Sequence, residues 1–545
     1  MRATTTFLLA NCLAWVPSVG FAQTTPDAGA TLGRDVVAPR TGVNRGPATV
    51  PLPDGGTVAT PSGESGGIFV GRVNIDGVST IQPESFSAVT LPFVGKTLAT
   101  DGLQRLARSV ADEARARGYI FASAAIPEQD VEQGEIRVLL NEGSVDEVRI
   151  TGSDNSKLRS ILNRIVGPAA LKSVVERQLL LAEDLPGISI VETRYLREGQ
   201  RGILAVTAKE DRLSGSVRLD NNGSKSFGPV RMSLDLAISD LILAGDELSV
   251  QVTGTPAAAR ELIYITTSYS VPIGASGARL GVTTSAGRTQ PGDIPGGILK
   301  GLSRYAAVNA SYPLIRGNDS SLWVSAELSY LNVDTRVFGL LLQRDDLVTM
   351  NISAYGNTKL GGGRLSAGLG FVRGLGVLGA NSAGDPFSSR DDASGQFKKF
   401  TGWFNWIGPI GGNFSLRIQG NGQIATTPLL SPQELGLGGP GFGRGYDFSE
   451  RFGDGGVLGA IELRHDFSKP VRHIDWAQVY GFVDGGYVYN LKDGFGGGSL
   501  LSAGGGVRAG AGRFEIGAEA AFPISDPRFD GGKSPRFNLS LGYSF

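Results

Sequence analysis

An arginine flanked by glycines and an aspartate on a later strand are the residues best suited to specific chemistry in this chain of 545 residues. Arg444 lies between Gly443 and Gly445 in the long segment Ser431–Asp454, and Asp484 follows farther along the chain. Glycine allows a loop to approach a wall closely, and the planar fork of arginine binds a carboxylate in a way that lysine cannot. These residue types suit a bidentate ion pair. Residue types alone favour the alternative of two unrelated charges, one in an exposed loop and one solvated in the lumen.

The alternation of side chains along the strand predicted at residues 477–488 indicates where Asp484 points. Successive side chains of a strand face opposite sides, so Val479 and Val483 share one face. The other face carries Tyr480, Phe482, Asp484 and Gly486. A carboxylate that faces lipid is costly, so we expect Asp484 to face the interior if this strand crosses a membrane. In the preceding strand, Glu462, Arg464 and Asp466 share a face in the same way.

Other motifs of the chain do not support catalysis or cofactor binding. Gly374–Gly379 and Gly436–Gly441 match the spacing of a dinucleotide-binding loop, but that motif requires a helix N-terminus at the pyrophosphate, and a loop follows instead. The two histidines, His465 and His473, form no pattern typical of a metal site or a catalytic triad. We therefore predict no catalytic residues, no metal, no cofactor and no enzymatic activity.

The chain ends in a segment typical of membrane barrels. Residues Phe537–Phe545 alternate apolar with small or polar side chains and end on an aromatic, as a strand between lipid and lumen does. The terminal Phe545 resembles the assembly signal of bacterial outer-membrane barrels. After the N-terminal segment, no stretch is apolar for the length that a membrane helix needs, and a membrane protein without such helices must be a closed barrel.

Alternating segments of about ten residues recur from Leu213 onward and predict about sixteen transmembrane strands within residues 211–545. Their predicted starts lie near Leu213, Val230, Glu247, Leu262, Ala278, Ser303, Ser321, Leu347, Arg364, Phe400, Phe414, Gly456, Ala477, Leu500, Arg513 and Arg536. The 80 glycines and the low charged fraction of 19% suit many twisted strands joined by turns. The fold class is therefore predicted to be mainly β, with an outer-membrane barrel whose lumen is aqueous unless something fills it.

The N-terminal residues predict export from the cytoplasm. Residues 1–22 combine the positive Arg2 with the apolar stretch Phe7–Val19 and small residues before Gln23, which is typical of a secretory signal peptide. Cys12, the only cysteine, lies in this segment, so we expect no thiol and no disulfide in the mature chain. Residues 23–67 are rich in Pro and Gly without apolar periodicity, and they predict a flexible linker.

Residues 68–210 contain two successive units with the predicted order β-α-α-β-β, at 68–143 and 144–210. The first predicted strand is Ile68–Asp76, and apolar residues at helical spacing predict helices at Gly102–Arg117, Ser156–Ile165 and Ala170–Asp184. Each unit is expected to be a small α+β module whose sheet edge can accept an extended peptide as an added strand. A pair of structural spacers would show the same pattern.

The motifs together resemble the two-partner secretion transporters of the haemolysin secretion/activation type, within the outer-membrane barrel assembly superfamily. The resemblance covers about residues 68–545. In the first module, Ala125–Val131, Gly134 and Glu142-Gly143 resemble the first polypeptide-transport-associated domain of such transporters. In the barrel, Ser270–Gly274 and Ser311–Arg316 resemble their strand ends. Arg444-Gly445-Tyr446 resembles the lumen-loop motif of the superfamily, and Phe482, Asp484 and Gly486 resemble the barrel-wall motif that its arginine contacts.

The resemblance implies an outer-membrane transporter with two periplasmic modules that exports a large, unfolded β-helical exoprotein such as an adhesin or haemolysin. Whether it also activates the exoprotein stays open. The implied partners are the secretion signal of the exoprotein, membrane lipid and the barrel assembly machinery, without nucleic acid. A barrel insertase and a passive solute porin are the alternatives; insertases more often have longer module arrays, and a porin needs no modules. Two features depart from the family: Gly443 replaces the usual Val, and residues 23–67 lack the periodicity of a pore-plugging helix.

Overall fold

The computed structural model of the protein describes residues 67–131, 133–199, 201–224, 226–525 and 532–545. The predicted signal peptide at residues 1–22 and nearly all of the predicted linker at 23–67 lie outside these residues. The described chain forms two compact units. One contains residues up to Asp211 together with Arg316–Asn318, and the other contains the remaining residues from Arg212 onward.

The first half of the smaller unit is an α+β module, here called module 1. Its elements are β1 (Ile68–Val70), β2 (Arg72–Asp76), α1 (Ser87–Thr90), β3 (Lys96–Leu98), α2 (Thr100–Ala116), β4 (Ser123–Ala125) and β5 (Glu135–Asn141). β5 is central, with β2 parallel on one side and β4 antiparallel on the other. The apolar face of α2 packs on this sheet through buried residues such as Leu106 and Val110. The predicted strand Ile68–Asp76 is divided at Gly71, whose N–H donates to the carbonyl of Gly134 (2.7 Å).

The second half of the smaller unit, module 2, repeats the order β-α-α-β-β. Its elements are β6 (Glu147–Thr151), α3 (Ser156–Leu162), α4 (Lys172–Glu183), β7 (Ile188–Glu198) and β8 (Arg201–Glu210). The sheet order is β6-β8-β7, and the side chain of Asn155 caps α3 by accepting from the backbone N–H groups of Lys157 and Leu158. Among the described residues, none of the helices is long and apolar enough to cross a lipid bilayer.

The two modules pack against each other within their unit. The rings of Phe121 and Tyr195 stack with their centroids 4.0 Å apart, and Arg197 donates to the hydroxyl of Ser123 at 2.8 Å. Gly143, at the junction of the modules, has φ +82°, and a Cβ there would lie 2.6 Å from Phe121. A side chain at this position would therefore displace Phe121, whose ring stacks on Tyr195 of module 2.

The larger unit is a closed antiparallel barrel. Its strands are β9 (Leu213–Asp220), β10 (Arg231–Ser239), β11 (Glu247–Gly254), β12 (Leu262–Ile273), β13 (Ala278–Thr289), β14 (Leu299–Arg316), β15 (Ser320–Val337), β16 (Leu340–Leu360), β17 (Gly363–Leu375), β18 (Lys398–Gly411), β19 (Phe414–Ala425), β20 (Leu435–Leu437), β21 (Arg451–Gly453), β22 (Gly455–Val471), β23 (Ile474–Tyr489), β24 (Gly498–Ala511), β25 (Phe514–Pro523) and β26 (Arg536–Ser544). Among the described residues, β20 and β21 pair with each other, and the other sixteen strands close the barrel. The predicted count of sixteen is confirmed.

The period-two pattern of the sequence separates the two faces of the barrel wall. On β22, Val457 and Ile461 are exposed on the outer surface, whereas Leu458, Ala460 and Glu462, which have the opposite parity, are buried on the inner side. The exposed apolar residues thus form the outer surface that lipid covers, and the polar residues collect inside.

The last strand closes the barrel against the first. β26 pairs with β9, and Phe545 continues this pairing by exchanging two backbone hydrogen bonds with Gly215, of 2.9 and 3.0 Å. A Cβ at Gly215 would lie 2.5 Å from the Phe545 ring, so the ring covers this glycine. The function of Phe545 as an assembly signal stays a prediction.

Candidate functional site

The loop between β19 and β22 folds into the barrel. It spans residues 426–454, so it begins five residues before the predicted segment Ser431–Asp454. Its apolar side chains form one buried cluster with the inner wall, consisting of Leu435, Leu437, Phe442 and Tyr446 from the loop and Leu458, Ala460, Val488 and Leu500 from the strands. Burial of this surface holds the loop against β22, β23 and β24.

Glycines bring the tip of this loop into contact with the wall. A Cβ at Gly445 would lie 2.7 Å from the backbone of Phe522 and Pro523 on β25, closer than any side chain allows. Gly443 has φ +81°, a left-handed conformation that favours glycine. Tyr446 is fully buried, and its hydroxyl donates to the carbonyl of Leu501 at 3.1 Å. The loop therefore presents Arg444 to the wall in one fixed direction.

Arg444 contacts three carboxylates of the wall. Its Nη1 donates to Glu519 at 2.8 Å, and its Nη2 donates to Glu462 at 3.1 Å. Its Nε lies 3.0 Å from Oδ2 of Asp484. The centre of the guanidinium group also lies 3.9 Å from the centroid of the Phe482 ring, where a cation is attracted to the face of the aromatic ring.

The structure brings Arg444 and Asp484 into contact, as the sequence analysis expects, but not through a bidentate fork. The two terminal nitrogens of Arg444 bind Glu519 and Glu462 instead. The Nε atom makes no hydrogen bond despite its closeness to Asp484. Asp484 accepts from the backbone N–H of Arg444 at 3.3 Å and from the hydroxyl of Ser502. The reason is geometric, because the Asp484 carboxylate lies beside the Arg444 backbone, while the long side chain extends beyond it.

Two further arginines complete a buried network that we call the Arg444 cluster. Arg464 donates to Glu462 at 2.7 Å, and Arg508 donates to the same carboxylate at 3.1 Å. Glu519 also accepts from the hydroxyl of Tyr480 at 2.9 Å. The cluster thus contains three arginines and three carboxylates, so its formal charges cancel. Their exposed fractions are 6% for Arg444 and 1% each for Glu462 and Asp484.

Glu519 and Arg508 are functional candidates that the sequence analysis does not single out, although alternation provided a signal. Glu519 alternates with Ala518 and Ala520, which places it on the inner face of β25.

Gly486 belongs to the predicted wall motif. It lies beside the cluster, and a Cβ there would be 2.5 Å from the carbonyl oxygen of Val457. Only glycine lets β23 and β22 approach this closely.

The Arg444 cluster is suited to attaching the loop to the barrel wall. Ion pairs taken out of water are stable only when their hydrogen bonds are nearly complete, and here each carboxylate accepts several. Removing the loop removes one positive charge and leaves three carboxylates facing the lumen. Among the described residues, no group of three or more His, Cys, Asp or Glu side chains could hold a metal ion.

Module 1 contains a different buried carboxylate in the Glu142-Gly143 motif. Glu142 is 4% exposed and accepts from the backbone N–H groups of Ser79, Thr80 and Ile81 at 3.0, 2.9 and 2.9 Å. Burial by itself raises the pKa of Glu142, but these hydrogen bonds outweigh it and lower the pKa from 4.5 to about 2. The carboxylate therefore fixes the turn after β2 to the end of β5.

Comparison with known families gives a match over both units. Residues 199–509 match the family described as haemolysin secretion/activation protein ShlB/FhaC/HecB. Residues 68–143, which form module 1, match the POTRA domain of the ShlB type. POTRA denotes the polypeptide-transport-associated domain.

Individual proteins are similar along most of the chain. The heme/hemopexin transporter protein HuxB of Haemophilus influenzae (strain 86-028NP) is 25% identical over 479 residues, covering 83% of this chain and 82% of that protein. The outer membrane transporter CdiB of Dickeya dadantii (strain 3937) is 23% identical over 418 residues, covering 74% of each.

Solved structures share the fold. CdiB from Escherichia coli superposes with a TM-score of 0.72 at 21% identity, covering 90% of this chain and 93% of that chain. BamA from Haemophilus ducreyi lacking POTRA domains 1–3 superposes with a TM-score of 0.54 at 15% identity, covering 88% and 100%. The resemblance stated from the sequence motifs is confirmed by the family match, which spans more than half of the residues. The chain therefore belongs to the haemolysin secretion/activation family ShlB/FhaC/HecB, the two-partner secretion transporters of the outer membrane.

Proposed function

We propose that this transporter exports a large β-helical exoprotein, of the adhesin or haemolysin kind, through its barrel in an extended form. The modules bind the unfolded secretion signal in the periplasm, and the barrel provides the path across the membrane. Folding of the exoprotein outside the cell gives the movement its direction.

The observation that carries this proposal is the arrangement of edge strands in the modules. β2 and β4 are the outer strands of one three-stranded sheet, and β6 and β7 are the outer strands of the other. An outer strand binds an extended peptide through its backbone groups, which tolerates many sequences. Such tolerance suits a transporter whose cargo is long and varied in sequence.

The Arg444 cluster supports passage rather than a fixed structural plug. The loop is held by side-chain ion pairs on the inner wall, and both partners are groups that water solvates well once separated. Release at the Arg444 cluster itself therefore exposes mainly charged groups, whereas release of the whole loop must also break the apolar contacts that the loop makes with β22, β23 and β24. We infer further that the partners are the exoprotein, membrane lipid and the barrel assembly machinery, without nucleic acid, and that the protein performs no catalysis.

Single cysteines test the proposed binding by the modules in the full chain. Cysteines replace Asp76 on β2 and Val191 on β7, and the control is Arg105→Cys on the exposed side of α2, where the side chain is 62% exposed. Because Cys12 lies in the predicted signal peptide, each variant would carry one reactive thiol in its mature form. A thiol-reactive crosslinker should join the edge-strand cysteines to the secretion signal during export and leave the control unlinked.

Three outcomes separate the alternatives. Export without crosslinking at either edge strand would make the modules spacers. Absence of export of the co-expressed exoprotein by the wild-type chain would contradict the proposal. Reduced assembly of other outer-membrane barrels in cells lacking the chain would favour an insertase.

A further inference from the structure

We infer that Arg390 and Asp454 form a second attachment of the in-folded loop, which closes the extracellular end of the lumen and must separate before a polypeptide leaves. The inference rests on the proposed export function. The strand directions set its location, because β9 follows module 2 along the chain and its start is therefore assigned to the periplasmic rim. The loops after β17, β19 and β23 therefore lie at the opposite, extracellular rim.

Arg390 is a buried cation in the loop between β17 and β18. Its side chain is 9% exposed. Nη1 donates to both carboxylate oxygens of Asp454, at 2.9 and 3.0 Å, and reaches Glu434 at 3.2 Å. Nε donates to Asp392 at 2.6 Å, and Nη2 donates to the backbone carbonyl of Leu491. One guanidinium thus contacts residues of three loops.

Asp454, the other member of the pair, also contacts residues of the same three loops. It is fully buried and lies at the end of the loop between β19 and β22, directly before β22. It accepts from the backbone N–H of Leu429 at 2.6 Å and from that of Leu491 at 2.7 Å. The Arg390–Asp454 pair therefore connects both ends of the in-folded loop to its two neighbouring loops.

Apolar side chains below this pair fill the barrel interior. The loops contribute Ala393, Phe397, Leu429 and Leu430, and the strands contribute Tyr305, Ala307, Leu331, Val333, Leu347 and Ala425. Leu429 and Leu430 are fully buried. Alternation places Leu331 and Val333 on the inner face of β15, opposite the exposed Leu328. The loops therefore pack against the inner face of β14, β15, β16 and β19 and occupy part of the lumen at this end.

The Arg390–Asp454 pair differs from the Arg444 cluster in what it connects. The Arg444 cluster attaches the loop to the wall, whereas Arg390 and Asp454 attach loops to one another. Opening the extracellular end requires the loops to separate, so this pair must break even if Arg444 stays in place. Arg390 is thus a positioning residue for export.

Conductance in planar lipid bilayers tests the closed end without any exoprotein. Arg390→Ala and Asp454→Asn should each conduct severalfold more than the wild-type protein, because the loops are no longer joined. Arg390→Lys should restore most of the closure, since an ammonium group can still pair with Asp454. The matched control is Lys359→Ala, which removes an exposed ion pair with Asp319 at the opposite rim. Heat-modifiable mobility on gels verifies that each variant is folded.

A disulfide tests the link to export. The backbone N–H of Ser431 donates to the hydroxyl of Ser389 at 3.0 Å, so cysteines at these two positions join the two loops. The oxidised double variant should block export, and a reductant should restore it. Wild-type conductance in Arg390→Ala, together with full export by the oxidised variant, would overturn the inference. If the export function itself were wrong, no exoprotein would cross in either redox state, while the conductance difference would persist.

Discussion

Buried carboxylates are held in two different ways in the two units of this protein. In module 1, Glu142 accepts hydrogen bonds from neutral donors, the backbone N–H groups and hydroxyls of residues 79–81. In the barrel, Glu462, Asp484 and Glu519 lie beside arginine side chains, and one of these arginines belongs to a loop. The carboxylates are similar in burial, but their partners differ in charge and in origin.

The difference shows which contact is permanent and which can be exchanged. The donors to Glu142 belong to the same module, so they remain in place as long as the module is folded. One of the three positive charges that balance the barrel carboxylates arrives with Arg444 and leaves with the loop, whereas Arg464 and Arg508 stay on the wall. When it leaves, water of the lumen can solvate the carboxylates, which keeps the exchange reversible.

Replacement of Arg444 should have the largest effect. Arg444→Ala removes one of the three positive charges that balance the buried carboxylates, and breaking a buried ion pair costs about 3–5 kcal/mol when no water replaces the lost partner. We expect the loop to become accessible to protease and export to fall, while the barrel remains inserted. Arg444→Lys should keep part of the activity because its ammonium group reaches one carboxylate only. Protected loops and wild-type export in Arg444→Ala would show that the cluster does not hold the loop.

Replacement of Glu142 should destabilise module 1 in a pH-dependent way. The pKa of Glu142 is lowered to about 2, so its contribution to the free energy of unfolding is complete above the ordinary value near 4.5 and disappears as the pH falls through about 2. Glu142→Gln should cost about 1–3 kcal/mol at neutral pH through its weaker hydrogen bonds. Urea unfolding followed by Tyr fluorescence at several pH values measures this. A difference that persists unchanged at the lowest pH would contradict it.

Two double-mutant cycles should show that the coupling energy between Arg444 and Glu519 is larger than the coupling energy between Arg444 and Asp484. Glu519 accepts a direct bond from the guanidinium, whereas Asp484 also has the neutral donors Ser502 and the backbone N–H of Arg444. The coupling of Arg444→Ala with Glu519→Gln, within the usual range of about 0.5–3 kcal/mol, should therefore exceed its coupling with Asp484→Asn. Urea-induced release of the loop measures both. Equal coupling energies would contradict this prediction and would show that Arg444 interacts with Asp484 as strongly as with Glu519.

Removal of the ring beneath Arg444 should have the smallest effect. Phe482→Leu keeps most of the apolar volume but removes the aromatic face, which contributes about 0.5–2 kcal/mol to a cation above it. Export should decline modestly. Phe404→Leu, on the outer surface of β18, is the matched control because Phe404 is exposed and faces no arginine in the contacts described. A larger loss in the control would mean that ring packing, not the cation, matters.

The sequence predicts the barrel well because alternation and turns are local properties. The starts of β9, β11, β12, β13, β19 and β26 coincide with the predicted residues. The inward direction of Asp484 also follows from neighbours two residues away. The partner of Arg444 could not be predicted in this way, because Glu519 is distant in sequence and reaches the site only when β25 takes its place beside β24. The division of the first strand at Gly71 likewise depends on a distant contact with Gly134.

The lengths of the strands make the two sides of the barrel unequal in height. A strand needs about 9–11 residues to cross a bilayer. β10 and β11 have 9 and 8 residues, whereas β15 and β16 have 18 and 21. The hairpin of β15 and β16 is therefore long enough to extend beyond the membrane on one side of the lumen, whereas β10 and β11 are not. An extended chain leaving the lumen would therefore meet a taller wall on the side of β15 and β16 than on the side of β10 and β11.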